Sequence, residues 1–322
     1  MKVKKSGLIA IVGRPNAGKS TLLNRLAGEK LAIVSDKPQT TRHRISAIVS
    51  QGDTQFVFFD TPGFHKPHDR LGEVMVNTVY RSAEGVDAAL LVVEPVARIG
   101  KPEALLIARL AQTKAPVQAS VSMPVPMSVP VQTPVPVPVP VPVVLAINKI
   151  DTVPKGNLLA VIETYRVAYG FAAIVPISAK DGDGTGLLLD ELAPFMPEGP
   201  ALYPEGQVTD QPERMLIAEL VREKLLGALD KEVPHGVAVE VETLREREDG
   251  LVEIGVVILC EKDSHKGIII GKNGAMLKKI GAQARADLEE MYEGPVLLKS
   301  WARVKEGWRN KPGQLREMGF DL

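Results

Sequence analysis

The chain has 322 residues, enough for two domains with separate cores. Lys and Arg total 39, as do Asp and Glu, so no global basic field announces a nucleic acid, and any such partner must be held by a local patch. The single Cys260, set in an apolar run, excludes an intrachain disulfide, and no run reaches the ~18 apolar residues of a membrane span, so a cytoplasmic location is expected.

An apolar strand is predicted at residues 8–12, followed by Gly13-Arg14-Pro15-Asn16-Ala17-Gly18-Lys19-Ser20 and Thr21, then a helix over 20–28. The spacing G-x-x-x-x-G-K-[ST] between a strand and a helix is that of a phosphate loop. Its glycines let backbone N–H groups face an anion at the positive end of the new helix. Lys19 is expected to reach the β- and γ-phosphates and Ser20 to ligate Mg²⁺.

Residues 35–42 form a polar loop before the second strand, at 45–50. In a nucleotide switch such a loop offers a Thr hydroxyl to Mg²⁺; Thr41 is the expected ligand, with Thr40 as the alternative. A third strand, 54–60, ends in Asp60-Thr61-Pro62-Gly63, which places Asp60 to hold a Mg²⁺-bound water and the Gly63 N–H to sense the γ-phosphate. The residue after Gly63 is Phe64, whose ring cannot orient an attacking water by hydrogen bonding.

Further strands are predicted at 88–94, 143–148 and 173–178, and helices at 71–82, 102–113, 155–168 and 185–193. This alternation argues for a mostly parallel, doubly wound α/β sheet with its motifs on one edge. Residues 116–142 are different material, rich in alternating Pro and Val. They favour polyproline II or disorder and read as a passive surface insertion.

The strand at 143–148 closes on Asn148-Lys149-Ile150-Asp151. The Asp151 carboxylate accepts from two donors, matching the guanine N1–H and N2 amine, whereas adenine lacks that pair. Asn148 either contacts the guanine edge or ties this loop to the phosphate loop, and the Lys149 stem packs along the ring. In Ser178-Ala179-Lys180, the Ala179 N–H is expected at guanine O6.

The order and spacing of these five elements resemble the Era group of GTPases, and the likeness extends over nearly the whole chain. The resemblance implies that 13–21 bind phosphate, that Ser20, Thr41 and Asp60 serve Mg²⁺, and that Asn148, Lys149, Asp151 and Ala179 read guanine. Related GTPases with an apolar residue at the Phe64 position use a phosphate-loop Asn to help bind K⁺, so Asn16 is the expected K⁺ contact. Slow intrinsic hydrolysis of GTP to GDP and phosphate is expected, with Lys19, Thr41, Asp60, Gly63 and Asn16 as the catalytic set.

A proline- and glycine-rich linker is predicted at 197–212, dividing a GTPase domain (1–196) from a second domain (213–322). The second domain reads as helix 213–229, strands 237–243 and 251–259, helices 264–270 and 275–292, strand 296–304 and a helical tail. Gly271-Lys272-Asn273-Gly274 between two helices resembles the G-x-x-G loop of a KH domain, and the element order resembles the smaller α+β type II form. Two glycines admit a nucleic-acid backbone, and Lys272, Lys278 and Lys279 supply local positive charge. Ile268, Ile269 and Ile270 are expected to form an apolar groove for unpaired bases, whereas Trp301 and Trp308 are expected to pack.

The resemblance implies single-stranded rRNA at the 3′ end of the small subunit as target, ribosomal subunit maturation as setting, and loose contact with the membrane. The rival reading is a regulatory scaffold whose KH-like domain binds protein. A partner in tRNA modification would need a modification domain, and none is visible.

Overall fold

Short β-branched and aromatic runs separated by glycine turns build two sheets, and amphipathic helices cover them. The structure, a computed structural model, describes residues 3–37, 39–64, 67–113 and 140–320. The Pro/Val-rich segment therefore lies outside the described residues up to position 139. Just before and just after the undescribed stretch, Val141 N–H donates to Thr113 O at 3.1 Å.

The first sheet contains β1 (Lys5–Gly13), β2 (Ile45–Gln51), β3 (Thr54–Asp60), β4 (Ala88–Val93), β5 (Val143–Ile147) and β6 (Ala173–Pro176). Its order is β2-β3-β1-β4-β5-β6; β2 alone runs antiparallel to its neighbour. Helices α1 (Lys19–Ala27), α2 (Arg70–Ser82), α3 (Lys101–Leu110), α4 (Lys155–Ala168) and α5 (Thr185–Leu192) alternate with these strands. Leu22, Leu23, Leu188 and Leu192 of α1 and α5 cover one face. Val79, Leu106, Leu110, Val161 and Tyr165 of α2, α3 and α4 cover the other. Strands buried on both faces read as unbroken apolar runs, which is why β1, β4 and β5 are legible in the sequence.

The second unit comprises α6 (Glu213–Ala228), β7 (Ala238–Glu246), β8 (Val252–Cys260), α7 (Asp263–Ile270), α8 (Ala275–Met291), β9 (Val296–Val304) and α9 (Pro312–Glu317). Its sheet is ordered β7-β8-β9, with β7 and β8 antiparallel and β8 and β9 parallel. Helices α6, α7 and α8 pack Ile217, Leu225, Ile269, Ile280 and Leu288 on one face, where Cys260 is also buried. The opposite face carries Val257 and Leu259, which join Leu71, Val74 and Met75 of α2, together with Trp308, Leu315 and Phe320. Trp308 is fully buried and donates Nε1–H to Gly236 O at 3.0 Å, so it packs, as expected.

Residues 197–212 do not hang free. Gln55 Oε1 accepts from the N–H groups of Leu202 at 2.8 Å and Tyr203 at 3.0 Å, and Ile48 N–H on β2 donates to Val208 O at 2.8 Å. An edge strand presents unpaired backbone groups, and here the connecting segment covers them.

Candidate nucleotide and nucleic-acid sites

At the carboxyl end of β1 the chain turns through Gly18, at φ +93°, into α1. A Cβ on Gly18 would stand 2.2 Å from Asn148 Nδ2, and one on Gly63 would stand 2.7 Å from Pro15 Cα, so both glycines are required by close approach. Asn16 also sits in the left-handed region, at φ 64°, and its Nδ2 donates to Asp36 O at 2.7 Å. The phosphate loop is thereby braced against the 35–42 loop.

Lys19 Nζ is buried and donates to Gly13 O at 3.2 Å and Arg14 O at 3.0 Å, within its own loop. Burial pushes the Lys19 ammonium pKa down, and the nearby Asp60 charge opposes that shift. Ser20 Oγ donates to Asp60 Oδ2 at 2.6 Å and lies 2.8 Å from Thr41 Oγ1, which is itself 3.3 Å from Asp60 Oδ2. Three hard oxygens from three separated segments thus converge. Burial raises the Asp60 carboxyl, against Lys19 and the two hydroxyls, and its Oδ1 is buried without a hydrogen-bond partner. An orphaned carboxylate oxygen beside two hydroxyls suits Mg²⁺, which takes few protein ligands and completes its shell with water and phosphate. Thr40 Oγ1 turns instead to Lys37 O at 2.6 Å, so Thr41 is the residue of the pair that reaches the cluster.

The other phosphate-loop residues have supporting places. Arg14 Nη1 donates to Glu103 Oε1 at 3.3 Å, Ala17 is buried, and Thr21 lines the same cleft as Pro15 and Ser20. Phe64 is buried, with its ring 5.7 Å from that of Tyr80, edge-on, and its N–H donates to Gly13 O at 3.1 Å.

At the base-reading end, Asn148 Nδ2 donates to Ala17 O at 2.9 Å and its Oδ1 accepts from Ala179 N–H at 2.9 Å. Of the two roles open to Asn148, the structure shows the tie between loops. The Ala179 N–H, expected at guanine O6, donates to Asn148 Oδ1 in this structure. Ser178, fully buried, donates to Asp151 Oδ1 at 2.8 Å and so aims the exposed carboxylate. Lys149, at φ 64°, donates to Glu94 Oε1 at 2.7 Å, while Lys180 is exposed. Arg25 of α1 clamps the carbonyls of Ala179 (3.2 Å) and Lys180, a contact the sequence did not signal because nothing local marks a helix arginine as a loop clamp.

On the second unit, Gly271-Lys272-Asn273-Gly274 joins α7 to α8 with Gly271, Asn273 and Gly274 at φ 72°, 51° and 78°. Among the described residues, none of Lys262, Lys266, Lys272, Lys278 and Lys279 forms an ion pair, whereas Lys30 and Lys224 each contact both Glu223 and Asp287. A groove of about 480 Å³ lies between α8 and β9, lined by Gly274, Leu277, Lys278, Gly281, Arg285 and Ser300.

Two expectations need correcting. Ile269 is fully buried in the core under β8, whereas Ile268 is 48% exposed and Ile270 is half-buried, so the isoleucine run does not present one apolar face. Lys279 lines a different hollow, between α6 and α8, because adjacent helical residues point about 100° apart; Lys278 faces the groove.

Comparison with known proteins agrees with this geometry. Residues 8–122 match the family described as 50S ribosome-binding GTPase, and residues 232–309 match the KH domain family. The chain is 44% identical over 316 residues to GTPase Era of Ruminiclostridium cellulolyticum, covering 98% of this chain and 97% of that protein. It is 44% identical over 319 residues to GTPase Era of Clostridioides difficile, covering 98% and 99%. Two solved Era structures superpose with a TM-score of 0.87 at 34% identity, covering 99% of this chain and 100% of each. One is an Aquifex aeolicus Era variant bound to GDP·AlF4⁻, and the other is Era with MgGDPNP and nucleotides 1506–1542 of 16S ribosomal RNA.

Proposed function

The chain belongs to the Era family of GTPases, and on that premise we propose that it is a GTP-hydrolysing switch whose KH domain takes single-stranded RNA at the 3′ end of small-subunit rRNA. Small-subunit maturation is the setting of that switch. The observation that carries the nucleotide half is the convergence of Ser20, Thr41 and Asp60 oxygens beside the buried Lys19.

Lys19 neutralises the β- and γ-phosphates, and the backbone N–H groups of 13–21 cradle them. Ser20 and Thr41 would hold Mg²⁺, with Asp60 holding a water of its shell, and the ion would supply charge stabilisation on the phosphate oxygens. Asp151, aimed by Ser178, accepts from the guanine N1–H and N2 amine. Asn148 fixes the spacing between base and phosphate sites by bonding both loops. Phe64 is retracted against Tyr80, so it does not orient water, and the intrinsic turnover is slow. Asn16, whose Nδ2 donates to Asp36 O, is the residue that would help hold a K⁺, and that ion would supply part of the charge of an arginine finger. A kcat equal in Na⁺ and K⁺ buffers removes that last element.

The RNA half rests on the cluster of lysines without ion pairs around a glycine-flanked loop. Filter binding of an oligonucleotide from the rRNA 3′ end, repeated across salt concentrations, tests it: phosphate contact gives a steep log–log slope. Salt-independent binding, or none, overturns the RNA reading and favours a protein partner. Equal affinity for GTP and ATP overturns the nucleotide reading. The cell setting implied by family membership is cytoplasmic with loose attachment at the membrane; among the described residues no helix is long and apolar enough to cross a bilayer. Co-sedimentation with anionic vesicles tests the attachment.

A further inference from the structure

The loop carrying Thr41 is held from both sides. On one side Thr41 is buried and reaches Ser20 and Asp60. On the other, both of its neighbours are fastened to the second unit. Thr40 O accepts from Arg222 Nη2 on α6. Arg42 Nη1 donates to Val237 O at 2.6 Å and Nη2 to His235 O at 3.0 Å, with the guanidinium 5.7 Å from the centre of the Trp308 ring. Lys37, earlier in the loop, reaches Leu229 O and Asp230 Oδ1.

The two arginine contacts are not at the surface. Arg42 is 3% exposed, Arg222 2% and Glu219 7%. Glu219 grips Arg222 with two bonds, at 2.7 and 2.5 Å, which orient the guanidinium toward Thr40. Burial pushes Glu219 up, but Arg222 outweighs it and holds the carboxylate below its usual range. A buried guanidinium is tolerated only where acceptors meet it, and here the acceptors for Arg42 are main-chain carbonyls just before β7. Displacing the second unit would strand Arg42 and release Thr40, and Thr41 lies between them in the chain.

We propose that Arg222 and Arg42 are positioning residues through which the KH-bearing unit holds Thr41 at the metal site, so that its seating sets the rate of GTP hydrolysis. The inference rests on the reading of Thr41 as a Mg²⁺ ligand.

The test uses the full-length chain, measuring kcat, KM and the Mg²⁺ concentration for half-maximal turnover, with GDP affinity as the control. Arg222→Ala is expected to lower kcat about tenfold and raise the Mg²⁺ requirement while GDP affinity holds, because GDP is gripped by the phosphate loop and Asp151. Arg222→Lys should restore part of kcat by reaching Thr40 O. The paired change Glu219→Gln with Arg222→Met removes both buried charges together, keeps the core filled, and should reproduce the Arg222→Ala kinetics in a folded protein. Adding Arg222→Ala to Thr41→Ala should cost no more than Thr41→Ala alone. A lowered Tm with unchanged kcat and Mg²⁺ requirement, or losses that multiply in the double variant, overturns the proposal. If Thr41→Ala itself leaves kcat and the Mg²⁺ requirement unchanged, the metal-site reading has failed, and that result is distinguishable from failure of the clasp.

Discussion

The nucleotide cleft and the glycine-flanked KH surface are both anion sites, yet they are built in opposite ways. In the cleft, charge is buried and interlocked: Lys19 and Asp60 lie inside the protein, and Asn148 bonds two loops at once. On the KH surface Lys272 and Lys278 stand in solvent without ion-pair partners. A small ligand with fixed phosphate geometry rewards pre-organised donors, whose value rises as water is excluded. A long flexible polyanion is held by many screened contacts that need only lie along a groove. Single substitutions should therefore act sharply in the first region and gradually in the second.

The largest effect is expected from Lys19→Ala. Removing the buried cation should cost about 1,000-fold in GTP affinity, about 4 kcal/mol, by isothermal titration, with RNA affinity measured in the absence of nucleotide unchanged; equal loss of both would erase the distinction between the sites. Asp151→Asn replaces an acceptor with a donor opposite the guanine amine. It should weaken GTP about 100-fold while favouring xanthosine triphosphate, which carries an oxygen there. On the KH surface Gly274→Asp forces a side chain into φ 78° and adds a negative charge beside the groove. RNA affinity should fall about tenfold to a hundredfold, with GTP turnover of the free protein retained.

Two smaller tests sharpen the contrast. Ile268→Ala should leave stability within about 0.5 kcal/mol and reduce RNA affinity only a few-fold. Ile269→Ala should cost about 2–5 kcal/mol of stability because it opens a cavity under β8. Chemical denaturation of the two variants reads the difference. Asp60 must be ionised to hold a divalent cation, and burial raises its carboxyl. The Mg²⁺ needed for half-maximal GTP binding should therefore climb as pH falls toward that raised value. In metal-free protein the sign is opposite: because the folded pKa lies above the unfolded one, the Asp60 contribution to stability declines as pH rises through the interval between them. Denaturation midpoints with and without Mg²⁺ across mildly acidic pH check both signs.

Much of this was legible from the chain alone. The phosphate loop, Asp60-Thr61-Pro62-Gly63 and Asn148-Lys149-Ile150-Asp151 each occupy a strand end, and buried parallel strands announce themselves as apolar runs. Thr41 is preferred over Thr40 from its loop alone, and its 2.8 Å approach to Ser20, with Thr40 turned to Lys37 O, gives that preference a geometry. The bond from Ala179 N–H to Asn148 Oδ1 has no local signal, because a backbone N–H has many acceptors within reach once the loops fold together. The isoleucine run is legible as apolar and Lys278 and Lys279 as local charge, but which face each takes is not, because a helix turns each residue away from the last. Residues 197–212 look like a tether in composition and serve as an edge cover for β2 in space.

Order, spacing and local backbone chemistry determined that this chain holds a phosphate loop, an Asn148-Lys149-Ile150-Asp151 loop at a strand end and a glycine-flanked helix pair, because those features depend on residues a few positions apart. The Ser20–Thr41–Asp60 cluster, the loop tie through Asn148 and the seating of Arg42 and Arg222 on a second sheet were decided by tertiary structure. Their partners lie tens to hundreds of positions apart, and burial, which gives each charge its effect, is a property of the packed whole.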